Sequence, residues 1–371
     1  MTRTRTTLLL IAVLALLAQP LLADHTENIN RTFNASNGMV VDLENLAGRV
    51  LIERGGGEVE IEATIHAESA RLADKMEIEF DEAGDRLVVR ANYPLDDHTS
   101  YRYNASDNGI SRWLGGSNTQ TKYQGKRVKV GSSGVELYAD FRLRLPAGVG
   151  AKVRNVVGEI NVDGVDGRLD LDAGSGDIRV RNAAGKIVAD TGSGDIMIAN
   201  HQGDIRADTG SGDVEIADVR GSVSADTGSG NVELESVDGE RIHADTGSGD
   251  VHLANVTGQF DLDTGSGDIR GRGVQASGRL VADTGSGEVI LDGSFDAVAS
   301  IDIDTGSGDV ELRGSFPAID LDVETSSGGI DVDLPGFQVI RKEKRSLRGK
   351  LGNGSVPVRL DTGSGGISVS G

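Results

Sequence analysis

The chain has no cysteine among its 371 residues. That excludes disulfide staples, thiolate metal sites and a lipid-modified cysteine behind a leader. Aromatic residues supply only 4% of the chain, with one tryptophan, and proline occurs six times. A core of large rings is thereby excluded, and small aliphatics must fill it. Positive charge is also scarce: 37 Lys and Arg stand against 58 Asp and Glu, for a net charge of −21. Nucleic acid would demand a basic face, so it is excluded as a partner. Cations and basic partners stay open, and the charge keeps a long β-structure from pairing edge to edge.

Long apolar runs are absent except for one, Leu8 to Leu17. It is too short to span a bilayer. Arg3 and Arg5 precede it, and Ala18-Gln19-Pro20-Leu21-Leu22-Ala23 follows before Asp24. Residues 1–23 thus read as a secretory leader. The expectation is an exported, soluble chain, not an integral membrane protein. Its place would be the periplasm, the outer-membrane surface or the exterior.

What the chain does have is glycine, 53 residues of it, and a repeat. Identical copies of Asp-Thr-Gly-Ser-Gly begin at Asp190, Asp208, Asp226, Asp245, Asp263, Asp283, Asp304 and Asp361, most of them 18 to 21 residues apart. Variants begin at Asp172 and Glu324. A fixed period of this size means stacked coils, because one short repeat cannot bury its own apolar face. In Gly203 to Gly221, Ile205, Ala207 and Thr209 alternate with polar residues, and Val214 and Ile216 do so after Gly210-Ser211-Gly212. Period-2 alternation marks two short half-buried strands, and the glycines supply a turn between them. A second turn falls near Val219-Arg220-Gly221.

The pattern predicts an all-β chain, a narrow parallel β-solenoid of about ten two-strand coils between residues 155 and 331. At about 4.8 Å per coil the rod would be about 45–50 Å long, right-handed by the general crossover rule. Residues 24–150 are less periodic and form an N-terminal β-rich capping region. Residues 151–371 carry the repeats.

Parity assigns roles. The repeated Thr points inward, where its hydroxyl can satisfy turn backbone groups. The repeated Asp points outward, as does the residue after each Gly-Ser-Gly. Outward carboxylates about 5 Å apart repel by about 0.8 kcal/mol each even in water. Calcium would relieve this. Asp190, Asp195, Asp208, Asp213, Asp245, Asp250, Asp263 and Asp268 are therefore candidate calcium ligands, against the alternative that each accepts hydrogen bonds from turn amides.

Asp-Thr-Gly-Ser is also the aspartic-protease signature, but that chemistry needs two aspartates meeting across a pseudo-dyad. Calcium-binding nonapeptides place glycine and aspartate differently. The six histidines lack zinc-like spacing, with His243 and His252 read as solvated, and no P-loop or nucleophile elbow occurs.

Two stretches break the regularity. An insert over about residues 94–133 holds Tyr101, Tyr103, Tyr123 and Trp113, with Arg102, Arg112, Lys122, Lys126, Arg127 and Lys129. Exposed aromatics on such a loop can stack on sugar rings or anchor a partner. Tyr101, Tyr103, Arg112, Trp113 and Tyr123 are the candidate ligand-binding residues, with a lid that plugs the solenoid end as the alternative. The second break is a basic loop over about residues 337–354, with Arg341, Lys342, Lys344, Arg345, Arg348 and Lys350. The 37 residues from Glu324 to Asp361 suggest that the coil count continues through one looped coil.

The unit Asn45-Leu46-Ala47-Gly48-Arg49-Val50, the run Phe141 to Pro146 leading into Asn155 to Ile160, and the repeated Ser-Gly-Asp-Ile/Val resemble the bacterial putative-adhesin family, a domain-of-unknown-function group of β-strand-repeat proteins. The resemblance implies a secreted or envelope-associated β-solenoid. It carries no catalytic residues. The functional expectation is a non-catalytic adhesin-like binding or scaffolding module, whose partner would be an envelope polysaccharide or a surface protein. The alternative is a calcium-dependent polysaccharide-acting enzyme.

Overall fold

The computed structural model describes residues 25–103 and 119–371. The leader call on residues 1–23 lies outside them. The described residues are almost wholly strand and turn, with one short helix, Ala70–Ala73. A coil begins with a strand such as Ile205–Thr209, passes the Gly-Ser-Gly turn, and runs into a second such as Val214–Arg220. Each strand pairs in parallel with its equivalent one coil away, Thr209 on Thr227 and Val214 on Val232. Inward Ile205, Ala207, Val214 and Ile216 are buried, as the alternation requires.

The first ladder stacks rungs beginning at residues 86, 40, 150, 169, 187, 205, 223, 242, 260, 280, 301, 356 and 319, thirteen in all. Nine of them begin between 155 and 331, against about ten expected, and those at 86, 40, 150 and 356 extend the stack. Thirteen rungs at about 4.8 Å give a stack of about 58 Å.

The second turn differs from the expectation of two plain sides. Asn182, Asn200, Asp218, Ser236 and Asn255 all take φ near +55° at the equivalent position. The residue after each points back inward, as Val219 does at 1% exposure, and pairs in register with the next coil. A left-handed corner thus adds a short third side. Asn and Asp are the non-glycine residues that best tolerate this conformation, and Asn200 Nδ2 donates to Asn182 Oδ1 at 2.6 Å along the corner row.

The Gly-Ser-Gly turn is fixed by how closely coils approach. A Cβ on Gly230 would stand 1.9 Å from the Gly212 carbonyl oxygen. Thr246 then ties coil to coil. Its Oγ1 donates to Gly230 O at 2.7 Å and accepts from Gly249 N at 3.1 Å. Thr191, Thr209, Thr227, Thr264, Thr284, Thr305, Thr325 and Thr362 make the same pair of bonds. Buried Asn155, in the same inward row, donates from Nδ2 to Gly48 O at 2.8 Å.

Rung order departs from chain order at both ends. The rung at 40 lies between those at 86 and 150. The last rung in sequence, Val356–Thr362, lies between the one at 301 and Ile319–Thr325. Thr362 accordingly donates to Gly308 O, and Thr325 to Gly365 O, each at 2.8 Å. This corrects the expectation of one looped coil: the basic segment is an antiparallel hairpin, Gln338–Lys342 with Ser346–Lys350, laid against Ile319–Thr325. At the other end Val135–Leu145, Glu58–Ala67 and His25–Asn34 turn antiparallel and close the stack.

Gly230→Ala is expected to destabilise the chain by about 3 kcal/mol, because backbone must move. Gly329, whose Cβ would meet nothing within 4 Å, is the control, and its alanine variant should unfold like the parent in a denaturant titration. Deleting residues 355–371 removes the inserted rung. Amides of Ile319–Thr325 should then exchange fast while those of Ile205–Thr209 keep their protection, and unchanged protection at Ile319–Thr325 would contradict the stacking order.

Candidate functional site

The aromatic candidates are not arranged for stacking on a ligand. Tyr101 and Tyr123 are fully buried, together with Tyr93. Tyr93 packs edge-on against both, at 5.2 and 5.8 Å between ring centroids. Tyr123 Oη donates to Ala91 O at 2.7 Å. Burial pushes the phenols of Tyr93, Tyr101, Tyr103 and Tyr123 upward. The expectation of exposed rings is corrected for Tyr101 and Tyr123. Their residue types are those of a binding loop, but the loop's base folds over the open end of the solenoid, where apolar rings exclude water from the core. Tyr103 is partly buried and meets Tyr138 edge-on at 5.0 Å. Arg112 and Trp113 lie outside the described residues.

The two carboxylate rows separate. The residues after Gly-Ser-Gly are half-buried acceptors. Asp195 Oδ1 accepts from Asp213 N at 3.0 Å, and Asp250 Oδ1 from Asp268 N at 2.8 Å. Asp213 Oδ1 accepts from Asn231 N and Asp268 Oδ1 from Glu288 N, each at 2.7 Å. These four candidate ligands are thus engaged in tying one coil's turn to the next.

The first residues of the motifs form a separate ladder. Asp172, Asp190, Asp208, Asp226, Asp245, Asp263, Asp283, Asp304, Asp361 and Glu324 follow one another in register, ten carboxylates on ten successive rungs. Asp190, Asp263, Asp283 and Asp304 are held above the usual carboxylate range, first by partial burial and then by the aspartates on adjoining rungs.

Counter-charge comes from the neighbouring outward column, two residues earlier on each strand. Arg206 reaches Asp208 at 3.7 Å and Arg359 reaches Asp361 at 4.0 Å. His243 in the same column reaches Asp226 Oδ1 through Nε2 at 3.1 Å and Asp261 Oδ2 through Nδ1 at 3.5 Å. The hydrogen bond to Asp226 raises the imidazole above its ordinary value. His243 is therefore half-buried and paired, which corrects its reading as solvated. Among the described residues, Asp226, His243 and Asp245 are the group whose ligand atoms all lie within 4.8 Å of one another. Separations of 19 and 17 residues hid this group, since its members meet only through coil stacking.

His201 was also missed as a buried group. It occupies the inward corner position of Ala183 and Val219 at 1% exposure, with Nε2 3.0 Å from Gly185 O. Burial lowers its pKa. The basic hairpin carries Val339 and Ile340, exposed at 53% and 60%. Arg348 and Lys350 pair with Asp320 at 3.4 and 3.5 Å.

A sequence model of the family described as Toastrack DUF4097 matches residues 147–217 and 204–370, together more than half of the chain. The chain belongs to the Toastrack DUF4097 family. This agrees with the resemblance to a domain-of-unknown-function, adhesin-like group read from the turn motifs, and with the all-β solenoid. Among solved structures, the chain is similar to a putative cell adhesion protein from Clostridium sporogenes, at 9% identity and a TM-score of 0.18, covering 93% of this chain and 99% of the other. It is also similar to a putative adhesin from Parabacteroides distasonis, at 11% identity and a TM-score of 0.29, covering 75% and 97%. No curated protein matches. In this Toastrack chain the threonine and aspartate hydrogen bonds hold the repeat turns, and the outward ladder is a separate row of carboxylates. No helix among the described residues is long and apolar enough to cross a membrane.

The raised ladder aspartates give a pH dependence of definite sign. A carboxyl whose folded pKa lies above its ordinary value of 3.8 favours folding most when protonated. That contribution is complete below about pH 3.8 and is lost as pH rises through the higher folded value. Asp263→Asn is therefore expected to raise Tm by about 2 °C at pH 7 and low salt. The gain should shrink with added salt and vanish near pH 3, as read by thermal melts across pH.

Proposed function

We propose that the protein is a non-catalytic, adhesin-like binding module of the cell envelope, exported by its leader, with the acidic ladder as its contact face. The observation that carries this reading is the ladder itself: ten in-register carboxylates on one outward row, most of them exposed. A row of fixed like charges at about 4.8 Å spacing attracts basic or cation-carrying partners and does so along a line. A linear partner suits a linear row, so an envelope polysaccharide bridged by calcium, or a basic segment of a surface protein, fits it. Asp190, Asp208, Asp245 and Asp263 would supply the contacts. Their oxygens are suited to calcium, which accepts several ligands in loose geometry. Asp195, Asp213 and Asp250 would contribute through their second oxygens while holding the turns, whereas the second oxygen of Asp268 is paired with Arg270 at 2.6 Å.

The test measures binding of the mature chain to a panel of envelope polysaccharides and to a basic surface peptide, with and without calcium. The comparison is a chain carrying Asp190→Asn, Asp208→Asn, Asp245→Asn and Asp263→Asn. Saturable binding that the fourfold variant weakens by roughly tenfold or more, and that salt suppresses, is the expected result. Equal binding by both chains would remove the ladder from the reading. Shortening of a glycan during the assay would overturn it in favour of a polysaccharide-acting enzyme.

A further inference from the structure

The ladder admits an imidazole at one place. His243 lies two residues before Asp245 on the same strand, so both side chains point outward on one face. Asp226 sits one rung away in register with Asp245, and Asp261 one rung the other way in register with His243. Ligand atoms of Asp226, His243 and Asp245 all lie within 4.8 Å of one another.

We propose that Asp226, His243 and Asp245 bind one divalent transition-metal ion of the zinc class, with Asp261 orienting the imidazole. This site is independent of which partner the ladder contacts. Four observations carry it. The spacing fits: ligands about 2.1 Å from a tetrahedral ion stand about 3.4 Å apart, and His243 Nε2 is already 3.1 Å from Asp226 Oδ1. The division of the ring fits: Nε2 faces the ligand set while Nδ1 lies 3.5 Å from Asp261 Oδ2. A carboxylate behind the second nitrogen fixes the tautomer of a metal-bound histidine.

The support is rigid, since all four residues stand on strands paired within the stack. Side chains on such strands need little reordering to close on an ion. The field is favourable, because Asp208 and Asp263 continue the ladder on either side. An imidazole ligand selects zinc-class ions over calcium, which takes oxygen. Arginine fills the same column at residues 206 and 359, and arginine stays protonated and cannot ligate. Three protein ligands on an outward face leave a coordination position toward solvent. A donor from a partner could complete the shell there.

The rival is a protonated His243 that simply bridges Asp226 and Asp261. Zinc uptake by the metal-stripped mature chain separates the two, read at pH 7.5 by competition with a chromophoric chelator. The expected result is one ion per chain, with affinity falling at least tenfold in His243→Asn and in Asp226→Asn, and unchanged in Asp304→Asn. Cobalt(II) reads the coordination directly: the parent should show the intense visible bands of a tetrahedral site, and His243→Asn should lose them while its circular dichroism stays that of the parent. Absence of zinc uptake would leave only the ion pair and overturn the proposal. Equal uptake by His243→Asn would overturn it too, by assigning the metal to the diffuse field of the ladder.

Discussion

One hydrogen bond sets the geometry of the repeats: in nine coils the inward threonine hydroxyl donates to a glycine carbonyl of the adjoining coil, as Thr246 does to Gly230. The same oxygen accepts the turn amide of its own coil, so a single buried atom closes the turn and fixes its height. Left unpaired in the core, each of these polar groups would cost about 1–3 kcal/mol. Threonine satisfies them repeatedly without charge and packs its methyl inward. The bond also demands glycine, because coils held this close leave no room for a Cβ over the carbonyl. The motif is thus a stacking device, and its likeness to a protease signature ends with the letters.

Exact stacking has an electrostatic consequence. When every coil repeats the same outward aspartate, like charges line up at the closest spacing that a parallel ladder allows. The aspartates that follow Gly-Ser-Gly, such as Asp195 and Asp250, escape by accepting a backbone amide from the next coil. Asp263 and Asp283 in the first row lack this outlet and are held above the usual carboxylate range by partial burial and then by the aspartates beside them, while His243 holds Asp226 below it. Arg206, His243 and Arg359 in the adjoining column offset part of this repulsion. The remainder leaves a line of negative charge on that face, on which the proposed binding of cations and basic partners rests.

The ends of the stack solve a different problem. An open coil exposes apolar side chains and unpaired backbone. At one end the tyrosines that looked like a binding loop cover the core instead. At the other, the basic hairpin lies antiparallel on Ile319–Thr325, and the last rung in sequence is held between two others. The rung Val356–Thr362 is thus paired on both sides, whereas the first described strand, His25–Asn34, pairs on one edge only, with Glu58–Ala67.

The sequence alone determined the repeat, the inward threonine, the outward aspartates and the parallel solenoid, because alternation and period act within one coil and copy themselves. It determined that the turn needs glycine. It did not determine which outward carboxylates were already engaged, since Asp195 and Asp263 look alike in sequence and differ only in whether the next coil offers an amide. The left-handed corner at Asp218 and its equivalents carried no periodic signal of its own. The burial of Tyr101 and Tyr123, the insertion of the rung at 356 and the meeting of Asp226, His243 and Asp245 were decided by tertiary structure. All three depend on which coil lies against which, and rung order is set by contacts between segments far apart in the chain.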